Sequence, residues 1–467
     1  MGGSRSDDLD PDPSDRGNLS SPRLTRRTFL ARLSGAAVGT TGLTVFGPPA
    51  ALAARWDRPF PASAFGSEVA TAWFDLALDL VRRTSGFGPP VASRTFGYVG
   101  VTLYEALVPG MAGYRSLAGQ LNDLDPAPAP SDPAHDWPTV ANAALASIIR
   151  SLFANASSES RAAMDSLEAS FTEERHAVVA PGILRRSAAR GRNVADHIFR
   201  WSRADGGHEA YLNNFPPYTP PVGPGLWVPT PPGFLPALQP YWGSNRPFAV
   251  TSGGTCGPGA PLPYSEEQSS AFYGEAVECY DLVTNLTPEQ EAIARFWSDD
   301  PGVTPTPPGH SVSILTQVIR AGGFGLDVAA EAYAKVGIAV ADAFISCWST
   351  KFRYNLLRPV TYIRGVIDPA WGSLLVTPPF PEYTSGHSVQ SAASAQVLTD
   401  LFGTVAFTDH THDGRGLAPR SFGSFHEAAE EAAISRLYGG IHFSTAIDLG
   451  LEQGLCVGRR VSDLEFR

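Results

Sequence analysis

Three short stretches in the last third of the 467-residue chain gather basic side chains and histidines in the pattern that an anion would need. The first is Lys351-Phe-Arg-Tyr-Asn-Leu-Leu-Arg358-Pro359. Seven residues turn a helix through roughly 700°, so Lys351 and Arg358 would leave one face about two turns apart. Pro359 disfavours helical geometry at the residue before it, which puts Arg358 near a helix end. Two cations aligned with no acid beside them are either a solvated basic face or an anion clamp. The second stretch, Thr384-Ser385-Gly386-His387, runs directly into the apolar-periodic Ser388–Phe402. Glycine there lets the backbone approach a ligand, and free amides at a helix N-terminus bind oxyanions. Ser385 can donate a hydroxyl, and His387 can give or take a proton. The third is Ser435-Arg436-Leu-Tyr-Gly-Gly-Ile-His442. On an unbroken helix Arg436 and His442 would diverge, but Gly439-Gly440 breaks it, and a turn can bring both side chains back to one point.

Each stretch alone has a bland reading; for His442 it is a core histidine bonded to a carbonyl. Together they supply three cations, a hydroxyl, a helix-terminal amide, an acid–base histidine and a second histidine that could act as a nucleophile. That inventory can hold a tetrahedral oxyanion and its trigonal-bipyramidal form. Lys351 is also one of only two lysines among 35 basic residues, the other being Lys335.

Lys351-x6-Arg358-Pro359, Ser385-Gly386-His387 and Ser435-Arg436-x5-His442 resemble the signature of the vanadium-dependent haloperoxidases. Type 2 phosphatidic acid phosphatases and bacterial non-specific acid phosphatases share it. Chain length and helical patterning resemble the peroxidase branch. Thr384 departs from the family pattern, which usually has proline there; this loosens the turn but removes no ligand. The resemblance implies that His442 bonds vanadium through an imidazole nitrogen, as the metal ligand of a vanadate cofactor. Lys351, Arg358 and Arg436 would neutralise the equatorial oxygens, with the Ser385 hydroxyl and Gly386 amide adding hydrogen bonds. His387 would be the general acid–base beside the apical position, helping hydrogen peroxide displace an oxygen or hydroxide ligand, and Lys351 would help polarise it. Halide then attacks, and a hypohalous-acid-type species leaves to act on a small organic acceptor, with no haem or flavin needed. Phosphate could occupy the same site. The alternative function is therefore an exported acid phosphatase in which His442 accepts the phosphoryl group and His387 protonates the leaving alcohol. The 47 residues between His387 and Ser435 suit either activity. A non-catalytic oxyanion-binding protein would need neither histidine.

Neighbouring residues extend the expectation. Trp348, three before Lys351, and Phe380, seven before His387, should face the pocket. An aromatic at Phe380 resembles the fungal chloroperoxidases, where the algal bromoperoxidases carry histidine; the resemblance implies chloride oxidation beside that of bromide. Asp300 is expected to balance Arg436, with Asp299 as its substitute. His310, in Pro307-Pro308-Gly309-His310, either supports the site or is a loop histidine without a role. His410, His412 and Asp413 read as a solvated loop.

These residues must be positioned by helices. Apolar residues recur at helical spacing in Val69–Arg82, Ala92–Leu107, Val140–Phe153, Ala162–Phe171, Ile183–Trp201, Glu266–Leu282 and Thr287–Trp297. The pattern continues in Val312–Ala321, Val328–Leu357, Ser388–Phe402, Phe422–Leu437 and Phe443–Val457. The expected fold is all-α, two helical bundles with long Pro/Gly-rich loops: an N-terminal half over 54–265 and a C-terminal bundle carrying the site over 266–467. Within the first, Asn214–Pro263 carries Trp227, Phe234, Tyr241 and Trp242, too many aromatics for a solvated linker.

Composition limits the remaining choices. A net charge of -11 without a basic stripe argues against nucleic acid as partner. Thr25-Arg26-Arg27-Thr28-Phe29-Leu30, then a weakly apolar Ala31–Phe46 and the small-x-small Ala51-Leu52-Ala53, read as a twin-arginine export signal over residues 1–53. The mature protein is then expected in the periplasm, the cell wall or the medium. No later run reaches the ~18 apolar residues of a spanning helix, so stable membrane insertion after cleavage is not expected. Of four cysteines, Cys256 and Cys279 could pair, with Cys347 and Cys456 read as buried thiols; the connectivity stays open.

Overall fold

A computed structural model describes residues 60–130 and 134–467; the expected export signal lies outside the described residues. Thirteen α-helices run through them, beside one small antiparallel hairpin of β1 (Phe407–Asp409) and β2 (Arg420–Phe422). The all-α reading holds. The first half supplies α1 (Glu68–Arg83), α2 (Pro89–Leu107), α3 (Trp137–Leu152), α4 (Ser158–His176) and α5 (Pro181–Ser202). The second supplies α6 (Ala271–Thr284), α7 (Pro288–Phe296), α8 (Thr306–Gly322), α9 (Leu326–Tyr354), α10 (Pro359–Val366), α11 (Gly386–Phe402), α12 (Phe425–Tyr438) and α13 (Ser444–Ser462). Each periodic stretch contains a helix, although residues 266–270 precede α6 and Phe422 belongs to β2. The eight-residue α10 escaped the sequence reading because two turns are too few to show a period.

The 29-residue α9 forms the axis and is buried along most of its length. It lies unusually close to α2, because a Cβ on Gly100 would sit 2.4 Å from the Tyr333 carbonyl oxygen and one on Gly337 would sit 2.5 Å from that of Phe96. The apolar core built there runs through both halves, from Trp73 and Phe96 to Trp348 and Val389. A second core, with Phe272, Tyr362, Leu437 and Phe443, lies beneath the C-terminal helices. Full burial of each such side chain contributes about 1.5–3 kcal/mol, so the side chains on α9 rest on a stiff support.

Between α5 and α6 the chain has no α-helix for most of 70 residues, yet it is held in place. Trp227 and Trp242 are buried, while Phe234 and Tyr241 are 62% and 56% exposed, so only half of its aromatics serve as anchors. Trp227 N–H donates to the Asn355 carbonyl at 2.7 Å and Leu357 N–H to that of Gly225 at 3.0 Å, tying the segment to the end of α9. A disulfide joins Cys256 to Cys456 on α13, and Cys279 and Cys347 are free and buried. The pairing of Cys256 with Cys279 is not the one formed: Cys279 faces the second core from α6. No helix among the described residues is long and apolar enough to cross a membrane.

Candidate active site

The end of α9 sets the first cation. Lys351 is in its last turn and fully buried. The helix stops because Asn355 takes a left-handed φ of 48°, a conformation that asparagine tolerates. Arg358 therefore does not share a helix with Lys351, as the seven-residue spacing had suggested. It stands in extended backbone as the N-cap of α10, with Pro359 in the first turn. The two cations still converge, because one strand of carbonyls between α10 and α11 holds both. Lys351 Nζ donates to Pro381 O at 2.9 Å and Glu382 O at 2.8 Å. Arg358 Nε donates to Phe380 O at 2.8 Å and Nη1 to Ile441 O at 2.7 Å.

The turn after α12 brings in His442. Gly440 has a φ of 71°, and a Cβ there would lie 3.1 Å from Ser373, so the turn is closed to larger residues. Arg358 Nη1 donates to His442 Nε2 at 3.2 Å, while His442 Nδ1–H donates to Glu382 Oε1 at 2.8 Å. An arginine cannot accept, so this tautomer leaves the lone pair on Nε2. Burial, reinforced by Arg358 and Lys351, holds the imidazole pKa well below its usual value and keeps it neutral. Glu382 also accepts the Phe443 amide at 3.0 Å. Burial raises its pKa to about 7 against the pull of Lys351 and Arg358. Sequence reasoning missed Glu382; its signal was a lone acid in the apolar run Pro378-Pro-Phe-Pro-Glu382-Tyr.

Ser385 caps α11, its hydroxyl oxygen accepting from Ser388 N–H at 3.3 Å, so its own proton remains to be donated. The amides of Gly386 and His387 open the helix and have no acceptor within it. A Cβ on Gly386 would meet nothing nearer than Trp348 at 3.9 Å, which leaves room for a ligand. The Thr384 hydroxyl bonds Gln453 of α13 at 2.6 Å, so a side-chain tie stands where the family pattern has proline. His387 Nε2 lies 2.9 Å from the Trp297 carbonyl, which can only accept. That nitrogen carries the proton, and Nδ1 is the basic one. Burial and Arg436 hold the His387 pKa well below the ordinary value.

Arg436 donates to the Ser435 hydroxyl at 2.9 Å and the Ala294 carbonyl at 3.1 Å. Burial lowers its pKa to about 10, and Asp299 offsets this more than Asp300 does. Arg436 forms no ion pair with either aspartate among the described residues, but both attract it: Asp300 from the exposed cavity edge, where Arg436 is the largest charge favouring its carboxylate, and Asp299 from a buried position shared with His310 and His412. His310 is not in a loop but in the second turn of α8, buried between Asp299 and Asp409. His412 is also buried, because the hairpin folds it inward; only His410 and Asp413 are solvated, and they pair at 2.9 Å.

These groups meet at a 430 Å³ cavity whose floor is Gly386, His387, Arg436 and His442. Trp348 and Phe380 form a wall, ring centroids 4.8 Å apart, as their spacing predicted. Phe380 also lies 5.2 Å from Lys351 Nζ and 4.9 Å from Arg358 Cζ, within cation–π range. Lys351, Arg358 and Ser385 are buried behind the floor. The donor set fits an oxyanion with a metal at its centre. Arg358 Nη2 is buried without a partner, Lys351, whose pKa burial lowers to about 7, bonds two carbonyls and has one further position to offer, and the Nε2 lone pair of His442 faces Arg358 with Lys351 and Arg436 nearby.

Comparison with known proteins supports the same reading. Residues 331–466 match the family described as the VCPO second helical-bundle domain. The chain is similar to the structure described as the first bacterial vanadium-dependent iodoperoxidase, with 40% identity and a TM-score of 0.78 over 85% of this chain and 96% of that one. It shares its fold with holo and apo bacterial vanadium-dependent chloroperoxidases, at 17% and 16% identity and TM-scores of 0.59 and 0.60. These cover 82% and 88% of this chain, and 93% and 96% of theirs. No curated protein matches. With 40% identity across nearly the whole of that iodoperoxidase, the chain belongs to the vanadium-dependent haloperoxidases.

Proposed function

We propose that this protein binds vanadate on His442 and uses hydrogen peroxide to oxidise iodide, releasing a hypohalous-acid-type iodinating species. The observation that carries this is His442 Nε2, whose lone pair is fixed by the Nδ1–H bond to Glu382 and meets only the Arg358 guanidinium at 3.2 Å, with the charges of Lys351 and Arg436 nearby. Vanadate, when bound, supplies a Lewis-acidic centre that activates peroxide without a change of metal oxidation state. The chain's residues do the rest. The free Nη2 of Arg358, the third proton of Lys351, the Arg436 guanidinium, the Ser385 hydroxyl and the Gly386 amide hold the anion's oxygens. His387 Nδ1 takes a proton from the incoming hydrogen peroxide and later returns it to a leaving oxygen. Lys351 polarises the peroxide oxygens, and the Trp348–Phe380 wall excludes water, which strengthens each of these charge interactions.

Iodide is the most easily oxidised of the three heavier halides and the least hydrated, which suits an apolar wall. The similar iodoperoxidase favours it over the chloride implied by Phe380, whose packing on two cations already accounts for an aromatic there. A cavity of 430 Å³ is far larger than peroxide and halide require, and in the range of pockets for small organic molecules. Its apolar lining, with Leu235, Leu238, Phe344 and Pro379, would receive an apolar organic acceptor. Export by the twin-arginine route is supported by the leader sequence and by the Cys256–Cys456 disulfide, since such bonds persist in oxidising compartments.

The test is to add orthovanadate to the metal-free protein and assay peroxide-dependent oxidation of iodide, bromide and chloride beside hydrolysis of p-nitrophenyl phosphate. Vanadate-dependent iodide oxidation is expected; phosphatase turnover that vanadate only inhibits would overturn the proposal. The carboxylate behind the ligand gives a second expectation. Glu382→Gln keeps an acceptor for the Phe443 amide but removes the charge that makes His442 a better donor to a metal. Vanadate affinity by calorimetry should fall ~10–100-fold, the usual effect of losing such a partner. Unchanged affinity would show that the carboxylate only packs.

A further inference from the structure

Behind the wall that carries the Trp297 carbonyl lies a buried group of charges that the reaction described above does not use. His310 Nδ1 is 2.8 Å from Asp299 Oδ2, and its Nε2 is 2.6 Å from Asp409 Oδ2. All three side chains are at most 1% exposed. Asp409 is itself fixed through its other oxygen, which accepts from the Thr411 amide at 2.9 Å, the Thr411 hydroxyl at 2.6 Å and Gln317 at 3.3 Å. Burial opposes a charge on His310, but the two carboxylates outweigh it and raise its pKa to about 10. The ring is an imidazolium that donates to both aspartates.

Asp299, His310 and His412 also present ligand atoms within 4.8 Å of one another, and Asp299 Oδ1 and His412 Nε2 are buried without a hydrogen-bond partner. A cation would account for that pair. The proton arrangement speaks against it. Both nitrogens of His310 are already spent on carboxylates, and Arg415 Nη1, which can only donate, faces His412 Nδ1 at 3.5 Å. That leaves a proton, not a lone pair, on His412 Nε2, 3.3 Å from Asp299 Oδ1.

The contacts lead instead towards the cavity. The Trp297 ring stacks on His310 with centroids 4.5 Å apart and planes at 20°, and its Nε1–H donates to Glu431 at 2.9 Å. Two residues on, Asp299 is held in left-handed backbone, φ 49°, by its bond to His310. The loop 297–300 is thus fixed through two of its side chains, Trp297 and Asp299, by one ring. Its products are the Trp297 carbonyl that selects the His387 tautomer and the Asp299 charge that attracts Arg436.

We propose that His310 is a positioning residue: clamped between Asp409 and Asp299, it locks the loop 297–300 so that His387 presents Nδ1 to the peroxide site. The proposal rests on the haloperoxidase reading, and iodide oxidation by the wild type tests that reading separately in the same assay.

The experiment is His310→Gln, whose single donor nitrogen is neutral and cannot reach the two carboxylates from opposite edges as the two ring nitrogens do, reconstituted with orthovanadate. Expected is a ~10–100-fold fall in kcat, a much smaller change in vanadate affinity, and loss of the single His387 tautomer in ¹⁵N spectra of histidine-labelled protein, assigned against His387→Ala. Asp409→Asn, which keeps the contact to Asp299, should change kcat and the tautomer in the same direction by less, and it carries the test if the glutamine variant does not fold. A kcat within twofold of wild type, an unaltered tautomer, or losses that follow only the unfolded fraction would each overturn the proposal. So would one equivalent of a divalent metal in the wild type that is missing from His310→Gln.

Discussion

His442→Ala should lose vanadate. The variant removes the imidazole whose Nε2 lone pair is presented beside Arg358, its Nδ1 being committed to Glu382. The cations remain, so an oxyanion such as phosphate is still attracted, but nothing bonds a metal at its centre. The loss should exceed the ~10–100-fold expected when an outer partner is removed, which is more than ~3 kcal/mol. Equilibrium dialysis with orthovanadate measures it, with circular dichroism as the check that the fold survives the unpaired Glu382. Retention of vanadate within tenfold of wild type would sink the assignment of His442.

His387→Ala separates binding from turnover. Its ring is neutral and bonded to the Trp297 carbonyl, so it contributes little to holding an anion, and vanadate affinity should stay within about threefold. Turnover should fall ~10²–10⁴-fold, the range for a positioned acid–base group. The direction of its pKa adds a pH expectation. An ordinary histidine loses its basic form below about pH 6.5, whereas this one is held well below that by burial and Arg436. In the vanadate-free protein His387 should therefore stay neutral as pH drops through 6.5, which ¹⁵N spectra of histidine-labelled protein measure. Equal loss of binding in His387→Ala and His442→Ala would contradict the division of roles.

The anion-binding residues were legible in the sequence because each sits at a break in helical pattern: Arg358 before Pro359, Gly386 opening α11, His442 after Gly439-Gly440. Local chemistry places those breaks; that the three stretches converge on one site is what the resemblance to the vanadium-dependent haloperoxidases implies. What failed depended on tertiary placement. The seven-residue spacing puts Lys351 and Arg358 on one helix only if the helix runs on past Asn355, a residue that tolerates the left-handed conformation in which it stops. His412 looked solvated beside His410 and Asp413, and only the turn of the hairpin distinguishes the buried ring from its neighbours. Glu382 is 60 residues from His442, and His310 is 99 from Asp409, so no local rule joins them. Carboxylates that serve a site from behind are visible only once the chain is folded.

An enzyme that releases a hypohalous species is the first protein its product meets. Thiols and thioethers are among the side chains most readily oxidised. Cys256 and Cys456 are already joined, while Cys279 and Cys347 are buried in settings that raise their thiol pKa and suppress the reactive thiolate. Met111 and Met164 are at most 4% exposed. Among the described residues, then, no unreacted sulfur is open to the solvent into which the oxidant escapes. The disulfide that fastens the long irregular segment to α13 also removes two oxidisable thiols from that inventory, and tolerance of its own chemistry is built into where the sulfur lies.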